Sequence, residues 1–454
     1  MKQLLHTHGA YFAVGCNDRA YVVCGVTNRV SELQPLPPPP QKEQATTTTT
    51  TTEKAASEEK KKGADIPGSC SDNKPQVKDT CEVQAVALTQ DENDSTVWCA
   101  VSRSDKTLAI YKLELASENN ENDSFKNAKI EASIVYNTTK RVGCLCFGSL
   151  PAAANDGDNK NSTIIVLGGD LAGDTYAYSL QEKRSRVMLG HTASMLTGVS
   201  ISKNRILTCD RDEKVRVSQF PESTIIEGFL LGHEAYVTSI DTVVDGAGTS
   251  IVASCGADGT VRLWNVETLQ QLDKVDVNKP DEAKEGEDAS ILIPTDLAFD
   301  QEGKTIAVIY DVSNRVDLFD VKVDDAKKAT LSFNRSLECP AHTLGVAFHK
   351  GRLMILLRDP EYITTFPIKP SAPPAKIQAV EALRELFSKE SIEMAHTILE
   401  KDPYGQPKLK KINETRGPSG PDVPWNRVER VPIAQERARR AKKRRQEEDR
   451  ESKL

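Results

Sequence analysis

The sequence predicts an all-β fold, a seven-bladed β-propeller followed by a short C-terminal helix and a disordered, charged tail. Three observations lead to this prediction. Apolar and polar residues alternate with a period of two through most of the chain, as in half-buried strands. The pair Gly-His occurs at 190–191 and again at 232–233, a spacing of about 42 residues that fits blade-length repeats. No helical pattern of any length precedes residue 376. Closure of such repeats into a ring leaves only short, protected strand edges.

The chain begins with strands and a linker. Residues 9–30 predict two strands joined by a turn at Asn17-Asp18, so we take 1–30 as N-terminal strands of the propeller, available to complete the last blade. Residues 31–79 combine a proline cluster, a run of seven threonines from Thr46 to Thr52 and mixed charges. This composition is typical of a low-complexity, disordered insertion.

Residues 80–369 predict the remaining blades. Strand pairs flank the turn at Ser104–Thr107 and the glycine-rich turn at Gly168–Asp174. Residues 187–266 then contain two successive units of the same plan, each with Gly-His, apolar strands and a turn aspartate. Two further units follow an acidic loop at 276–290. The repeat length and plan are those of WD-repeat blades.

The C-terminal region has a different composition. Residues 370–400 contain apolar residues at helical spacing between Ile377 and Phe387, which predicts a short amphipathic helix. Residues 401–454 predict a basic, mostly disordered tail. Its basic core resembles a nuclear-import patch, predicting a nuclear protein, although an RNA-touching arm or a merely solvated tail would have the same composition. The residues of this core are Arg439, Arg440, Lys442, Lys443, Arg444 and Arg445.

Charge and cysteine content limit the possible functions. The net charge is −7, but residues 408–454 carry roughly +7, which leaves roughly −14 on the rest of the chain. The body is therefore a poor binder of nucleic acid by itself. The ten cysteines form no C-x-x-C pair and fall mostly in apolar runs, which predicts reduced core thiols of an intracellular protein and no metal site. No apolar run is long enough for a membrane helix, and no signal-peptide core is present.

Histidine–aspartate pairs in the two central units predict a structural network. We expect His191 to pair with Asp212 and His233 to pair with Asp258, with Ser254 and Trp264 completing the second set. The first unit has Ser218 in place of the tryptophan. A buried pair of this kind is tolerated only when it is fully hydrogen-bonded. Because no nucleophile accompanies either pair, we interpret them as structural.

The sequence contains no sign of an enzyme. It has no phosphate-binding loop, dinucleotide fingerprint or metal motif, and the glycines of 168–174 lie between strands rather than before a helix. We therefore predict no bound cofactor, and a platform that binds macromolecules through loops.

A charged turn in the first central unit is the candidate contact site. Glu213-Lys214 stands where the second unit has Gly259-Thr260, and glycine is the low-strain residue wherever φ is positive. Arg211 and Arg216 lie nearby. The turn is either a solvated charged loop or a charge-complementary docking point for a partner.

The stretch T-C-D-R-D-E-K-V-R-V-S-Q-F-P, followed by F-L-L-G-H, resembles the non-catalytic WD-repeat subunit of eukaryotic tRNA (guanine-N7-)-methyltransferase. The resemblance covers the second to fifth blades and excludes the insertion and the tail. In the third blade Leu171 stands where the family tends to have lysine, so no contact is carried over there.

The resemblance implies a propeller that binds and stabilises a separate catalytic subunit as a heterodimer. That partner would hold S-adenosylmethionine, provide most of the tRNA affinity and methylate guanine N7 in the tRNA variable loop. Glu213, Lys214 and Arg216 become candidate contacts, with Arg211 beside them, and Asp212 is expected to hold the turn. The alternative is a nuclear WD-repeat scaffold or ubiquitin-ligase substrate receptor. Such receptors often show Trp-Asp-x-Arg, whereas this chain has Trp264-Asn265-Val266-Glu267.

Overall fold

The computed structural model is a ring of seven antiparallel sheets, which confirms the predicted seven-bladed propeller. The structure describes residues 3–34 and 81–368, together with 380, 381 and 383. Within these ranges it leaves out 17, 25–28, 92–95, 115–128, 151–162, 181–182, 193, 245–247, 279–291, 325–328 and 359–362.

Each of the first three blades is a four-stranded sheet whose strands follow chain order. The strands of blade one are β1 Leu5–His8, β2 Tyr11–Cys16, β3 Arg19–Cys24 and β4 Arg29–Leu33. Those of blade two are β5 Val83–Gln90, β6 Val97–Arg103, β7 Thr107–Glu114 and β8 Lys129–Asn137. Those of blade three are β9 Val142–Leu150, β10 Thr163–Asp170, β11 Asp174–Ser179 and β12 Ser185–Gly190.

Blades four to six repeat this arrangement, and blade seven has three strands among the described residues. Blade four contains β13 Leu196–Ser202, β14 Arg205–Asp210, β15 Lys214–Gln219 and β16 Ile226–Leu231. Blade five contains β17 Val237–Val244, β18 Ser250–Gly256, β19 Thr260–Asn265 and β20 Gln270–Asp276. Blade six contains β21 Pro294–Phe299, β22 Thr305–Tyr310, β23 Arg315–Val323 and β24 Ala329–Glu338. Blade seven contains β25 Thr343–His349, β26 Arg352–Leu357 and β27 Ile363–Pro367.

The ring closes differently from the prediction. The N-terminal strands do not complete the last blade, because β1 pairs with β2 inside a complete blade of its own. Closure is instead by packing between blades. The hydroxyl of Thr7 donates to the backbone oxygen of Phe348 on β25 at 2.7 Å. Contiguous apolar packing across this junction joins β2 and β3 with Met354 and Leu356 of blade seven.

The core consists of apolar layers between neighbouring blades. Every residue of β18 and β19 in blade five is buried, because these middle strands are covered on both faces. The outermost strand β20 is only partly covered. Strands buried on both faces lose the strict alternation of half-buried strands, which fits the continuous apolar runs seen there.

Three predicted segments can be compared with the structure: the insertion, the C-terminal helix and the basic tail. Strand β4 extends to Leu33, so the low-complexity insertion begins later than residue 31. Val380, Glu381 and Leu383 are helical, and both Val380 and Leu383 are buried against the core of blades one and seven. The basic patch at 439–445 and the rest of the tail lie outside the described residues.

Among the residues that the structure describes, no helix is both long enough and apolar enough to cross a membrane.

Candidate functional site

Blade five contains the predicted four-residue network. The ring of His233 lies with Nδ1 3.1 Å from both carboxylate oxygens of Asp258 and with Nε2 2.7 Å from Ser254 Oγ. The indole Nε1–H of Trp264 donates to the same Ser254 oxygen at 2.8 Å. With a hydrogen on Nδ1 the ring donates to Asp258, while its Nε2 pairs with the Ser254 hydroxyl. The network ties the loop, the turn and two strands together.

The order Ser254–His233–Asp258 is that of a hydrolase triad, but its surroundings exclude this chemistry. Ser254 and the His233 side chain are both 0% exposed, so a substrate has no route to the serine oxygen. That oxygen also already accepts the indole hydrogen of Trp264. A nucleophile needs an accessible oxygen facing a reacting carbon. The network therefore holds the fold.

In blade four, the prediction that His191 pairs with Asp212 is wrong. His191 Nδ1 lies 2.7 Å from Asp210 Oδ2, and its Nε2 lies 2.7 Å from the hydroxyl of Thr208. Asp212 is exposed and takes no part through its side chain. The aspartate that bonds the histidine has thus moved from the turn to the end of β14, two residues earlier than Asp258 stands in blade five.

Asp210 also holds the charged turn. Its Oδ1 accepts the backbone N–H of Asp212 at 2.9 Å and that of Lys214 at 3.3 Å. Asp170 does the same in blade three, where it accepts from the N–H groups of Ala172 and Asp174. The role expected for Asp212 is therefore filled by Asp210. This leaves the Asp212 carboxylate exposed at the tip of the turn, an additional candidate contact that the sequence comparison missed.

The backbone of the turn has the positive φ that favours glycine. Glu213 has a φ of 72°, and Gly259 at the equivalent turn of blade five has a φ of 74°. A side chain larger than hydrogen costs about 1 kcal/mol or more in this left-handed region. Arg211, Asp212, Glu213 and Lys214 are all exposed. The turn thus presents a row of charged side chains, and its backbone conformation is a strained one for Glu213.

Arg216 does not fit its predicted role as a direct contact. It is only 8% exposed. Its guanidinium donates to Ser218 Oγ at 2.8 Å and to the backbone oxygens of Gly190 and Ser223 at 2.9 Å and 3.2 Å. The bond to Gly190 links blade four to the last strand of blade three. Arg216 is therefore a structural residue of blade four. One of its acceptors is Ser218, which replaces the tryptophan of blade five.

A central channel of about 600 Å³ is lined by the innermost strands of the blades. Burial raises the pKa of Asp241 to about 6, although it accepts the N–H groups of Phe299 and Thr242. Burial, followed by smaller effects that include the charge of Asp241, raises the pKa of Asp296 to about 7. Asp296 accepts the Ser239 hydroxyl at 2.8 Å. Both carboxyls thus join blade five to blade six across the channel wall and act as structural ties.

Within the described part of the chain, no group of three His, Cys, Asp or Glu side chains is placed to hold a metal ion. The described cysteines are all free, and those at the blade cores are buried. Burial raises the pKa of the Cys209 thiol well above its ordinary value, against a smaller lowering by its hydrogen bond with the Thr197 hydroxyl. Such a thiol is inert.

The comparisons with known proteins agree with this arrangement. Residues 174–361 match the family model described as the tRNA methyltransferase TRM82 WD40 domain. This segment contains the charged turn and both His–Asp networks. The resemblance recognised in the sequence is confirmed by this match.

Curated relatives carry the same description. The tRNA (guanine-N(7)-)-methyltransferase non-catalytic subunit WDR4 of Homo sapiens is 32% identical over 198 residues, which is 43% of this chain and 47% of that protein. The subunit TRM82 of Debaryomyces hansenii is 29% identical over 283 residues, 56% of this chain and 58% of that protein. The chain thus spans about half the length of the curated relatives it matches.

A solved structure shows the fold alone. A chain of the "Crystal Structure of Mitotic Checkpoint Complex" superimposes with a TM-score of 0.52 at 13% sequence identity, covering 81% of this chain and 89% of that one.

Proposed function

We propose that this chain is the non-catalytic subunit of a tRNA (guanine-N7-)-methyltransferase, which binds and stabilises a separate catalytic subunit. The support lies in the charged turn of blade four. It falls within the segment that matches the TRM82 WD40 domain, and relatives named as non-catalytic subunits are similar over this region. The buried Ser254–His233–Asp258 network agrees with a subunit that performs no chemistry itself.

Binding to the active conformation of a partner stabilises that conformation by mass action. In this proposal the catalytic subunit holds S-adenosylmethionine and most of the tRNA contacts, and modifies guanine N7 in the variable loop. The propeller fixes the partner's position through Glu213, Lys214, Asp212 and Arg211. Exposed charges of this kind contribute to the rate and register of association more than to stability of the fold.

The proposal is tested by the affinity of the purified chain for the catalytic subunit, measured by calorimetric titration. The variant Lys214→Glu should weaken the complex by roughly tenfold to a hundredfold, as expected for a contact worth about 1–3 kcal/mol. Its melting temperature should stay close to that of the unaltered chain, because Lys214 is exposed and makes no ion pair among the described residues.

The matched control is Lys322→Glu, which makes the same charge change at an exposed lysine of blade six. It should leave the affinity unchanged. Equal affinity for both variants would mean that the charged turn is only a solvated loop. A large fall in the melting temperature of Lys214→Glu would mean that the turn is structural. Recovery of a ubiquitin-ligase adaptor from nuclear extract, with no methyltransferase, would favour the scaffold alternative.

A further inference from the structure

The outermost strand of blade four exposes several large apolar side chains to solvent. On β16, Ile226 is 46% exposed, Phe229 is 40% exposed and Leu231 is 65% exposed. Ile225, just before the strand, is 49% exposed. Scattered exposed apolar residues are normal on a protein surface, but a contiguous group marks an interaction site. Four within seven consecutive residues are such a group.

This apolar group is continuous with the charged turn. Strand β16 pairs with β15, and in that pairing Lys214 lies opposite Leu231 while Arg216 lies opposite Phe229. Directly opposed residues on antiparallel strands are neighbours on the sheet. The apolar group therefore begins where the charged turn ends and runs down the outer rim of the blade.

A cluster of cations lies on the neighbouring blade three. Lys183, Arg184 and Arg186 are exposed at the start of β12 in blade three, and none of them pairs with a carboxylate among the described residues. Val187 beside them is 59% exposed. Three exposed cations within four residues stand out in a body that is acidic as a whole.

Hydrogen bonds between the blades bring the two features together. The hydroxyl of Ser223, in the loop that leads into β16, donates to the backbone oxygen of Met188 on β12 at 2.7 Å. Arg216 donates to the backbone oxygen of Gly190 at 2.9 Å, also on β12. The loop before β16 thus lies against the strand that carries the cations. We define the rim surface as Ile225, Ile226, Phe229 and Leu231 together with Lys183, Arg184 and Arg186.

We propose that the rim surface binds an amphipathic segment of the catalytic subunit that presents apolar and acidic side chains. This inference rests on the proposed function and extends the docking site from the turn to the outer rim of blades three and four. Apolar side chains of the segment cover Phe229 and Leu231, and its carboxylates face Arg184 and Arg186. A nucleic-acid backbone would meet the cations but would leave the apolar half of the surface uncovered, so a protein segment fits better.

The apolar half is tested by the double variant Phe229→Ser and Leu231→Ser, titrated against the catalytic subunit. We expect the affinity to fall by about tenfold or more, since two large apolar side chains lose their burial. The matched control is Phe333→Ser on β24, the outermost strand of blade six, where Phe333 is 54% exposed. The control should bind like the unaltered chain. Unchanged affinity of the double variant would overturn the proposal.

The cationic half is tested by Arg184→Glu combined with Arg186→Glu, with Lys274→Glu and Lys322→Glu together as the control of equal charge change. Association with the catalytic subunit should slow by about tenfold and lose much of its salt dependence, because complementary charges steer encounter. The control pair should have a smaller effect. If the variant binds the catalytic subunit normally but the complex loses affinity for tRNA, the cations serve RNA and the inference is wrong.

The outcomes also separate this inference from the proposed function. Failure of the unaltered chain to bind the catalytic subunit would contradict the proposed function itself. If the unaltered chain binds and Lys214→Glu weakens binding, while all rim-surface variants bind normally, the function stands and only the extended surface is rejected. Melting temperatures close to that of the unaltered chain confirm that each variant is folded.

Discussion

Glu213 and Gly259 occupy equivalent turns of neighbouring blades with almost the same backbone conformation, at φ values of 72° and 74°. Only glycine adopts this region without strain. At Gly259 a side chain would also meet the amide of Asn278, within 2.2 Å of an added Cβ. Blade five thus uses the residue that its turn needs, and blade four accepts strain at the same place. Strain of this kind persists where the surroundings enforce it, and it is common at contact sites.

The first prediction concerns this strain. Glu213→Gly should leave the fold intact and change its stability by less than about 1 kcal/mol in either direction, because relief of strain is offset by a more flexible unfolded chain. Affinity for the catalytic subunit should fall, since a charged contact is lost. Chemical denaturation and calorimetric titration measure the two effects. An unaltered affinity would remove Glu213 from the contact site.

The second prediction concerns Arg216. Arg216→Leu should lower the free energy of unfolding by about 2 kcal/mol, because it leaves the backbone oxygens of Gly190 and Ser223 without their donor. Any loss of affinity should follow the loss of stability, and Arg216→Lys should recover only part of it. Loss of affinity with an unchanged melting temperature would instead restore Arg216 as a direct contact.

The third prediction concerns the blade-five network at acid pH. Burial by itself would raise the pKa of Asp258, but hydrogen bonds and the charge interaction with His233, together with the Glu234 N–H, hold it well below its ordinary value of 3.8. A lowered pKa in the folded state gives stability that is complete above pH 3.8 and is lost as the pH falls below it. Asp258→Asn should be less stable at pH 7 and should show a shallower loss between pH 4 and pH 2. Denaturation curves at several pH values check this slope, and an unchanged slope would contradict it.

The fourth prediction concerns Asp296, whose pKa is shifted in the opposite direction to that of Asp258. The pKa of Asp296 is raised to about 7, so its protonated form is favoured in the folded chain. Its stabilising effect is complete below the ordinary carboxyl pKa and is lost as the pH rises through about 7. Asp296→Asn cannot ionise, so its free energy of unfolding should fall less between pH 5 and pH 8 than that of the unaltered chain. The expected difference is about 1–2 kcal/mol, because water in the channel screens the charge of Asp296. Equal declines in the two proteins would show that Asp296 is not held protonated.

The architecture was predictable because blade five keeps every residue of its network. Gly-His, Ser254, Asp258 and Trp264 stand at the spacing that their hydrogen bonds require, so one complete blade identified the fold. The strands β1 and β4 were missed, since His6 and His8 in the first and Ser31 and Glu32 in the second break the apolar alternation. Both strands are defined by their pairing with β2 and β3, which a local pattern does not contain.

The candidate contact site was predictable only in part. The turn at Glu213 was found because blade five supplied the glycine for comparison. The partner of His191 was wrong because both Asp210 and Asp212 flank the turn, and only the backbone geometry decides which carboxylate reaches the ring. Arg216 was a candidate contact only through the family resemblance, which does not show that its side chain is buried. The exposure of Phe229 and Leu231 was missed because an apolar strand predicts burial.

The central claim is tested most directly by transfer of a methyl group from S-adenosylmethionine to guanine N7 of tRNA. Three samples are compared: this chain alone, the catalytic subunit alone, and an equimolar mixture of the two. We expect no transfer by this chain alone and a rate for the mixture well above that of the catalytic subunit alone. When Lys214→Glu replaces the unaltered chain, a higher concentration of the variant should be needed to reach the same rate. A mixture no faster than the catalytic subunit alone, under conditions where both proteins are folded, would contradict the account.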